Sequence, residues 1–248
     1  MKITIIGSGN MGGALAKGWA RVMPVESLTV TAHTQATLDK FCALLPGIHT
    51  NLSNADAVIG ADIVVLAVKP WLVEQVIGEI APALGKAVLV SVAANIRHER
   101  IDVYAMPNIA AEFGESMTFV ERTGANGHHE VVADLFKRVG EVQVVEPRLM
   151  QAGMMMAGCG IAYVMRFVRA MMEGGVEMGF YPADAQRIAM QAMQGAVTLL
   201  RETGEHPEAA IDRVTTPGGI TIKGLNELDH AAFNSAVIRC LKAGLKDE

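Results

Sequence analysis

A chain of 248 residues, 51% hydrophobic and 19% charged, has globular composition and enough material for one large domain or two modest ones. Its net charge of −5 argues against a nucleic-acid partner. Cys42, Cys159 and Cys240 are scattered without a CxxC pair, which argues against a disulfide framework and for a reducing, cytoplasmic setting.

Residues 2–6 (KITII) are a β-branched run that predicts a buried strand; the N-terminus carries no cleavage pattern, so no signal peptide is expected. A glycine loop and a helix over about 10–22 follow, then a strand at 28–32 and a helix at 37–45 closed by Pro46 and Gly47. Residues 62–68 (DIVVLAV) form a continuous apolar run suited to a strand covered on both faces. A helix at 71–80 and strands at 87–92, 103–106, 117–120 and 142–145 complete an alternating pattern, which implies βαβ units and a parallel sheet. Trp19 and Trp71 are expected to pack in the core or under loops. His128 and His129 are expected at a solvated helix start rather than on a metal.

Pro147 marks a change, and no strand is expected beyond it. The uncharged run between Arg148 and Arg166 is near the lower limit of about 17–25 residues for a membrane span. Gln151, Gly153, Gly158 and Gly160 interrupt it, so it is read as a buried helix within a longer helical stretch, 149–178. A further helix is predicted over 182–202. A helix apolar on most sides needs cover from several neighbours, which points to a subunit interface. The expected architecture is α/β: a dinucleotide-binding domain over 1–147, then a helical domain over 148–248.

Gly7-Ser8-Gly9-Asn10-Met11-Gly12 matches G-x-G-x-x-G directly after a predicted strand and at the start of a predicted helix. Gly7 permits the tight turn, Gly9 lets the backbone approach a pyrophosphate, and Gly12 lets helix and strand pack closely. The helix N-terminus offers N–H groups and a positive dipole to the phosphates. An acid at the end of the second strand would favour NAD, but the residues there are Ala32, His33 and Thr34. This leans toward NADPH, with NADH possible and His33 and Thr34 as the available donors. Lys69, closing the 62–68 strand, is a candidate to approach the cofactor.

Several segments together resemble the pyrroline-5-carboxylate reductase family: IIGSGNMGGALAKG at 5–18, LAVKP at 66–70, SVAAN at 91–95, AMPN at 105–108, ETGEHP at 202–207, VTTPGGITIKGL at 214–225 and AAFNSAVIRCLKA at 231–243. The Thr-Pro-Gly-Gly-x-Thr segment is the most discriminating. The resemblance implies a Rossmann-type domain followed by an all-helical domain that dimerises, giving a homodimer or a higher oligomer of dimers. It implies NADPH-dependent reduction of the cyclic imine 1-pyrroline-5-carboxylate to L-proline, with a small-molecule substrate and neither membrane nor metal. It places Thr216, Pro217, Gly218, Gly219 and Thr221 at the substrate, with the Thr221 hydroxyl at its nitrogen. Asn54 would contact the adenosine end. Asn10, Met11, Ala67, Val68, Pro70, Ala93 and Asn108 join the candidate cofactor contacts. The glycines 218 and 219 are expected to expose N–H groups for the substrate carboxylate.

The chain departs from the family pattern at Cys159 and Ile161, where a serine and a proline are usual. Ile109 and Ala110 replace a usual Thr-Pro, and Arg169 stands where many members have an acid. A related cyclic imine, or a non-catalytic NADP-binding role, therefore stays open. Cys159 has no histidine nearby in sequence to activate it as a nucleophile.

Overall fold

The computed structural model describes residues 1–94, 96–124 and 127–245. The chain divides into two compact units, Met1–Gly158 and Cys159–Glu248. The first holds an eight-stranded sheet: β1 (Ile3–Ile6), β2 (Leu28–Thr31), β3 (His49–Asn51), β4 (Ile63–Leu66), β5 (Val88–Ser91), β6 (Val103–Met106), β7 (Ser116–Glu121) and β8 (Gly140–Val145). Their spatial order is β3-β2-β1-β4-β5-β6-β7-β8. The first six are parallel, in the order of a dinucleotide-binding fold, and the strand order reverses between β1 and β4.

β1 and β4 are buried at every position, as β-branched and aliphatic runs covered on both faces should be. Each such side chain contributes about 1.5–3 kcal/mol on burial. One side of the sheet is covered by α1 (Asn10–Ala20) and α2 (Gln35–Leu44), the other by α3 (Asn54–Ala57) and α4 (Val73–Ile80), while α5 (His128–Phe136) joins the first core. Trp19 is fully buried against Phe136, with ring centroids 5.4 Å apart, and its Nε1 donates to the Leu135 carbonyl. Trp71, by contrast, is 75% exposed, so the expectation of core or loop packing is corrected there. It follows Pro70 in a single 3-10 turn, on the outer side of the chain as that turn enters α4.

The sheet is mostly parallel, as expected, with one antiparallel pair. β7 runs antiparallel to β6, with Ala105 opposite Val120. The connection is only a left-handed Gly114 and one short 3-10 segment, Ile109–Phe113, too little for the dozen or more residues a parallel crossover needs. The β7–β8 connection carries α5 and is parallel.

The stretch expected as one helix is broken into α6 (Met150–Gly153), a π-helical segment over Met154–Cys159, and α7 (Gly160–Glu177). Met150 packs in the first unit's core and Ala157 lies against it, which is why that unit runs past Pro147. The second unit adds α8 (Pro182–Thr203), α9 (Pro207–Arg213), α10 (Ile220–His230) and α11 (Phe233–Lys242). α7 packs closely on α8 where Gly175 admits the Ala185 methyl, and Phe167 meets Phe233 across α7 and α11. The reading of 148–166 as a buried helix is corrected: Met156, Val164 and Met165 are exposed within a single chain. Pairwise packing covers only one stripe of α7. Residues 147–177 are long and apolar enough to cross a membrane by length and composition alone.

Candidate active site

At the carboxyl end of β1, Ile6 lies beside Leu66 of β4, and the Ala67 N–H donates to the Ile6 carbonyl at 2.8 Å. This is the point where strand order reverses. Gly7 turns there with φ +100°, and a side chain on it would meet the Ala67 carbonyl and Val68. Gly12 is packed so tightly that a Cβ would overlap the Gly7 carbonyl oxygen. Gly9 is the opposite case: no heavy atom lies within 4 Å of a Cβ placed on it. It caps α1 without any side-chain hydrogen bond, so the first-turn N–H groups are left for a ligand. Asn10 is exposed at the start of α1, and Met11 packs against the core. These residues fit a dinucleotide pyrophosphate: two glycines make the turn, one leaves room, and uncapped N–H groups present positive charge.

Beyond β2 the residues form a polar chain. The Gly7 N–H donates to Thr31 Oγ1 at 3.3 Å, Thr31 Oγ1 donates to Asn54 Oδ1 at 2.8 Å, and Asn54 Nδ2 donates to Glu79 Oε2 at 2.9 Å. Gln75 also donates to Glu79, at 2.8 Å. The Asn54 amide, then that of Gln75, hold the Glu79 carboxyl below its ordinary range, and His33 adds to the effect. His33 and Thr34 are both exposed, and Thr34 caps α2 by accepting from the Thr37 N–H. Sequence reasoning missed Glu79, because it sought an acid immediately after β2 and this one comes from α4. It also missed Gly18, where a Cβ would overlap the Ala111 carbonyl.

The remaining first-unit candidates are more embedded. Lys69 is exposed before the Pro70 turn. Ala93 is buried, with its N–H on Ser91 Oγ; Asn95 lies outside the described residues. Asn108 is buried and engaged by protein groups: its N–H donates to Ser116 Oγ, its Oδ1 accepts from Ala110, and its Nδ2 donates to the Ala157 carbonyl. It fixes the turn after β6. Only His128 of the histidine pair behaves as a solvated helix start, facing Asp102 at 3.4 Å. His129 is buried, its Nδ1 2.8 Å from Thr123 Oγ1. The correction follows from helix geometry, since adjacent residues point about 100° apart and one must face the sheet.

In the second unit, residues 214–219 form a turn closed by its own bonds. Thr215 Oγ1 donates to the Ile211 carbonyl at 2.7 Å, and the Gly219 N–H donates to the Thr216 carbonyl at 2.9 Å. Gly218 has φ +73°, and Gly219 caps α10. The expectation that Gly219 exposes its N–H is corrected, because Thr216 takes it. The uncapped donors lie one step on, in the first turn of α10, which carries no side-chain cap. Thr216, Pro217, Gly218 and Thr221 are all exposed. Cys159 is half-buried at the start of α7; it and Cys240 both neighbour the Tyr163 hydroxyl, whose pKa is raised first by desolvation and then by these thiols.

Residues 147–248 match the family model described as pyrroline-5-carboxylate reductase dimerisation, and residues 2–95 match NADP oxidoreductase coenzyme F420-dependent. Pyrroline-5-carboxylate reductase of Escherichia coli is 33% identical, over 97% of this chain and 94% of that protein. Pyrroline-5-carboxylate reductase 1 of Dictyostelium discoideum is also 33% identical over 96% of this chain, which spans only 47% of that longer protein. The structure of Plasmodium falciparum pyrroline carboxylate reductase with NADP bound superposes with a TM-score of 0.87 at 25% identity, covering 98% of this chain and 95% of that one. The chain is a member of the pyrroline-5-carboxylate reductase family.

Proposed function

We propose that this protein catalyses NADPH-dependent reduction of 1-pyrroline-5-carboxylate to L-proline, the last step of proline biosynthesis. The observation that carries this reading is likeness along nearly the whole chain to enzymes named for that activity, with both the glycine loop and the Thr216–Thr221 segment in place. The cofactor, when bound, supplies the hydride that goes to the imine carbon. A cyclic imine can be protonated beforehand and is then already electrophilic, so the protein's part is positioning and electrostatics. Thr221 holds the ring nitrogen through its hydroxyl. The first-turn N–H groups of α10 hold the substrate carboxylate, and the Thr216 hydroxyl adds a contact. His33, Thr34, Asn54 and the 67–70 segment receive the nucleotide, with Ala93 and Asn108 shaping its surroundings.

The nucleotide part is assigned to residues 1–147, and the substrate and dimer parts to 148–248. Exposed Val164, Met165, Met171 and Val176 on α7 support a homodimer built through the helical part. The free thiols Cys42, Cys159 and Cys240 support a reducing, cytoplasmic setting.

A second reading, a related cyclic imine, is favoured by the departures at Cys159, Ile161, Ile109 and Ala110. The test is oxidation of NADPH, and separately of NADH, by the full-length protein with pyrroline-5-carboxylate and with other cyclic imines. Turnover with pyrroline-5-carboxylate above the rest supports the assignment. Turnover only with another ring transfers it to that substrate. Tight NADPH binding without any turnover leaves a binding role.

A further inference from the structure

The hydrogens of the chain Gly7–Thr31–Asn54–Glu79 can be counted. Thr31 Oγ1 accepts from the Gly7 N–H, so its single hydrogen goes to Asn54 Oδ1. With Oδ1 committed as acceptor, the Asn54 amide turns Nδ2 to Glu79. Glu79 Oε2 accepts one of the two amide hydrogens, and the other is left for a ligand. Thr31 is buried and ends β2, and the end of the second strand is where this fold reads the adenosine ribose. Asn54 begins α3 with Ser53 capping behind it, so its backbone is also fixed. Glu79 is anchored in turn by Gln75 one helical turn earlier.

We infer that Glu79 is a positioning residue for the adenosine end of the dinucleotide, acting through Asn54 to present one amide N–H to the ribose 2′ substituent. The inference rests on the dinucleotide reading of the first unit. Its physical content is that a carboxylate, negative in itself, favours an anionic 2′ group by orienting a donor. The lowered Glu79 pKa agrees, because the ionised form is the one that only accepts.

The experiment is calorimetric titration of NADPH, 2′,5′-ADP and 5′-AMP into full-length wild type, Glu79→Ala, Glu79→Gln, Asn54→Ala and the Asn54→Ala/Glu79→Ala double variant. Glu79→Ala is expected to weaken NADPH and 2′,5′-ADP by about 3- to 10-fold, the worth of one oriented hydrogen bond. Glu79→Gln, whose amide oxygen still accepts from Asn54, should recover binding to within about twofold of wild type. The double variant should bind no more weakly than Asn54→Ala alone. Unchanged affinity in Glu79→Ala overturns the inference, as does additive loss in the double variant. Tighter 2′,5′-ADP binding by both Glu79 variants overturns it too, since it means that the carboxylate repels the phosphate. If wild type binds none of the three ligands, the dinucleotide reading and this inference fall together; if it binds all three and Glu79→Ala matches it, only the inference falls.

Discussion

Gly12 and the carbonyl oxygen of Gly7 are in direct contact, with no space for a side chain between them. Gly9, between them in sequence, faces open space. The two glycines therefore fail differently when replaced. Gly12→Ala must push α1 off the end of β1, an overpacking cost of about 1–3 kcal/mol. Gly9→Ala should cost under about 1 kcal/mol, as a modest change at a helix cap, yet still weaken NADPH by obstructing the approach of the phosphates. Denaturant unfolding beside NADPH titration checks this; equal destabilisation by the two substitutions would sink it.

Thr221 is exposed in the first turn of α10. Thr221→Val keeps its shape and removes its hydroxyl. The expected result is a fall in kcat/KM of about 10- to 100-fold, the value of a hydrogen bond to a charged group. Melting temperature and NADPH affinity should not move. Steady-state kinetics with a thermal melt decide it, and full activity in the variant would remove Thr221 from the mechanism.

On α7, Met165 is exposed on the apolar side of a single chain. Met165→Glu places a charge where a partner subunit is proposed to pack, and burying an unpaired charge is costly. Sedimentation should show a shift toward monomer, with helix content retained. An unaltered sedimentation coefficient would exclude this face from the assembly.

Glu79 has a folded pKa below its ordinary value, so its contribution to the fold is present above that ordinary value. It is lost as pH falls through the lower, folded value. The group is largely solvent-exposed, so the effect on overall stability is small. The Asn54 side-chain amide signals in an NMR titration should therefore hold steady through the usual carboxylate range and shift only at more acidic pH. A shift within the usual range would mean that the Asn54 and Gln75 bonds do not persist in solution.

How much of this was legible in sequence follows from burial. β1, β4 and β5 are covered on both faces, so each reads as an unbroken apolar run, and the glycine loop announced itself by following one of them. β3 did not: His49–Asn51 is three residues long, polar and at the sheet edge, with no periodicity to detect. The reversal at β7 was hidden because residue pattern carries no strand direction; only the shortness of the 109–113 connection could have shown it. Asn54 was reached through family resemblance, while its partner Glu79 lies on another helix and carries no local signal. The apolar breadth of α7 points in sequence to burial with a subunit interface, but a hydrophobic stripe does not say which of its residues the chain covers by itself, and Val164, Met165, Met171 and Val176 are exposed in the single chain.

Bonds among residues 211–219 close the turn ahead of α10, and the Arg213–Glu205 ion pair ties it to the residues just before α9. Such a segment is shaped largely by its own neighbourhood in sequence. On the proposed assignment of the ring to this turn and of the nucleotide to the β2 end, changes that retune ring choice can accumulate in a handful of consecutive codons, separately from those that alter nucleotide preference. A library randomised only over this turn should alter ring selectivity without a matching change in nucleotide choice, which makes the fold a convenient starting point for reductases of other small imines.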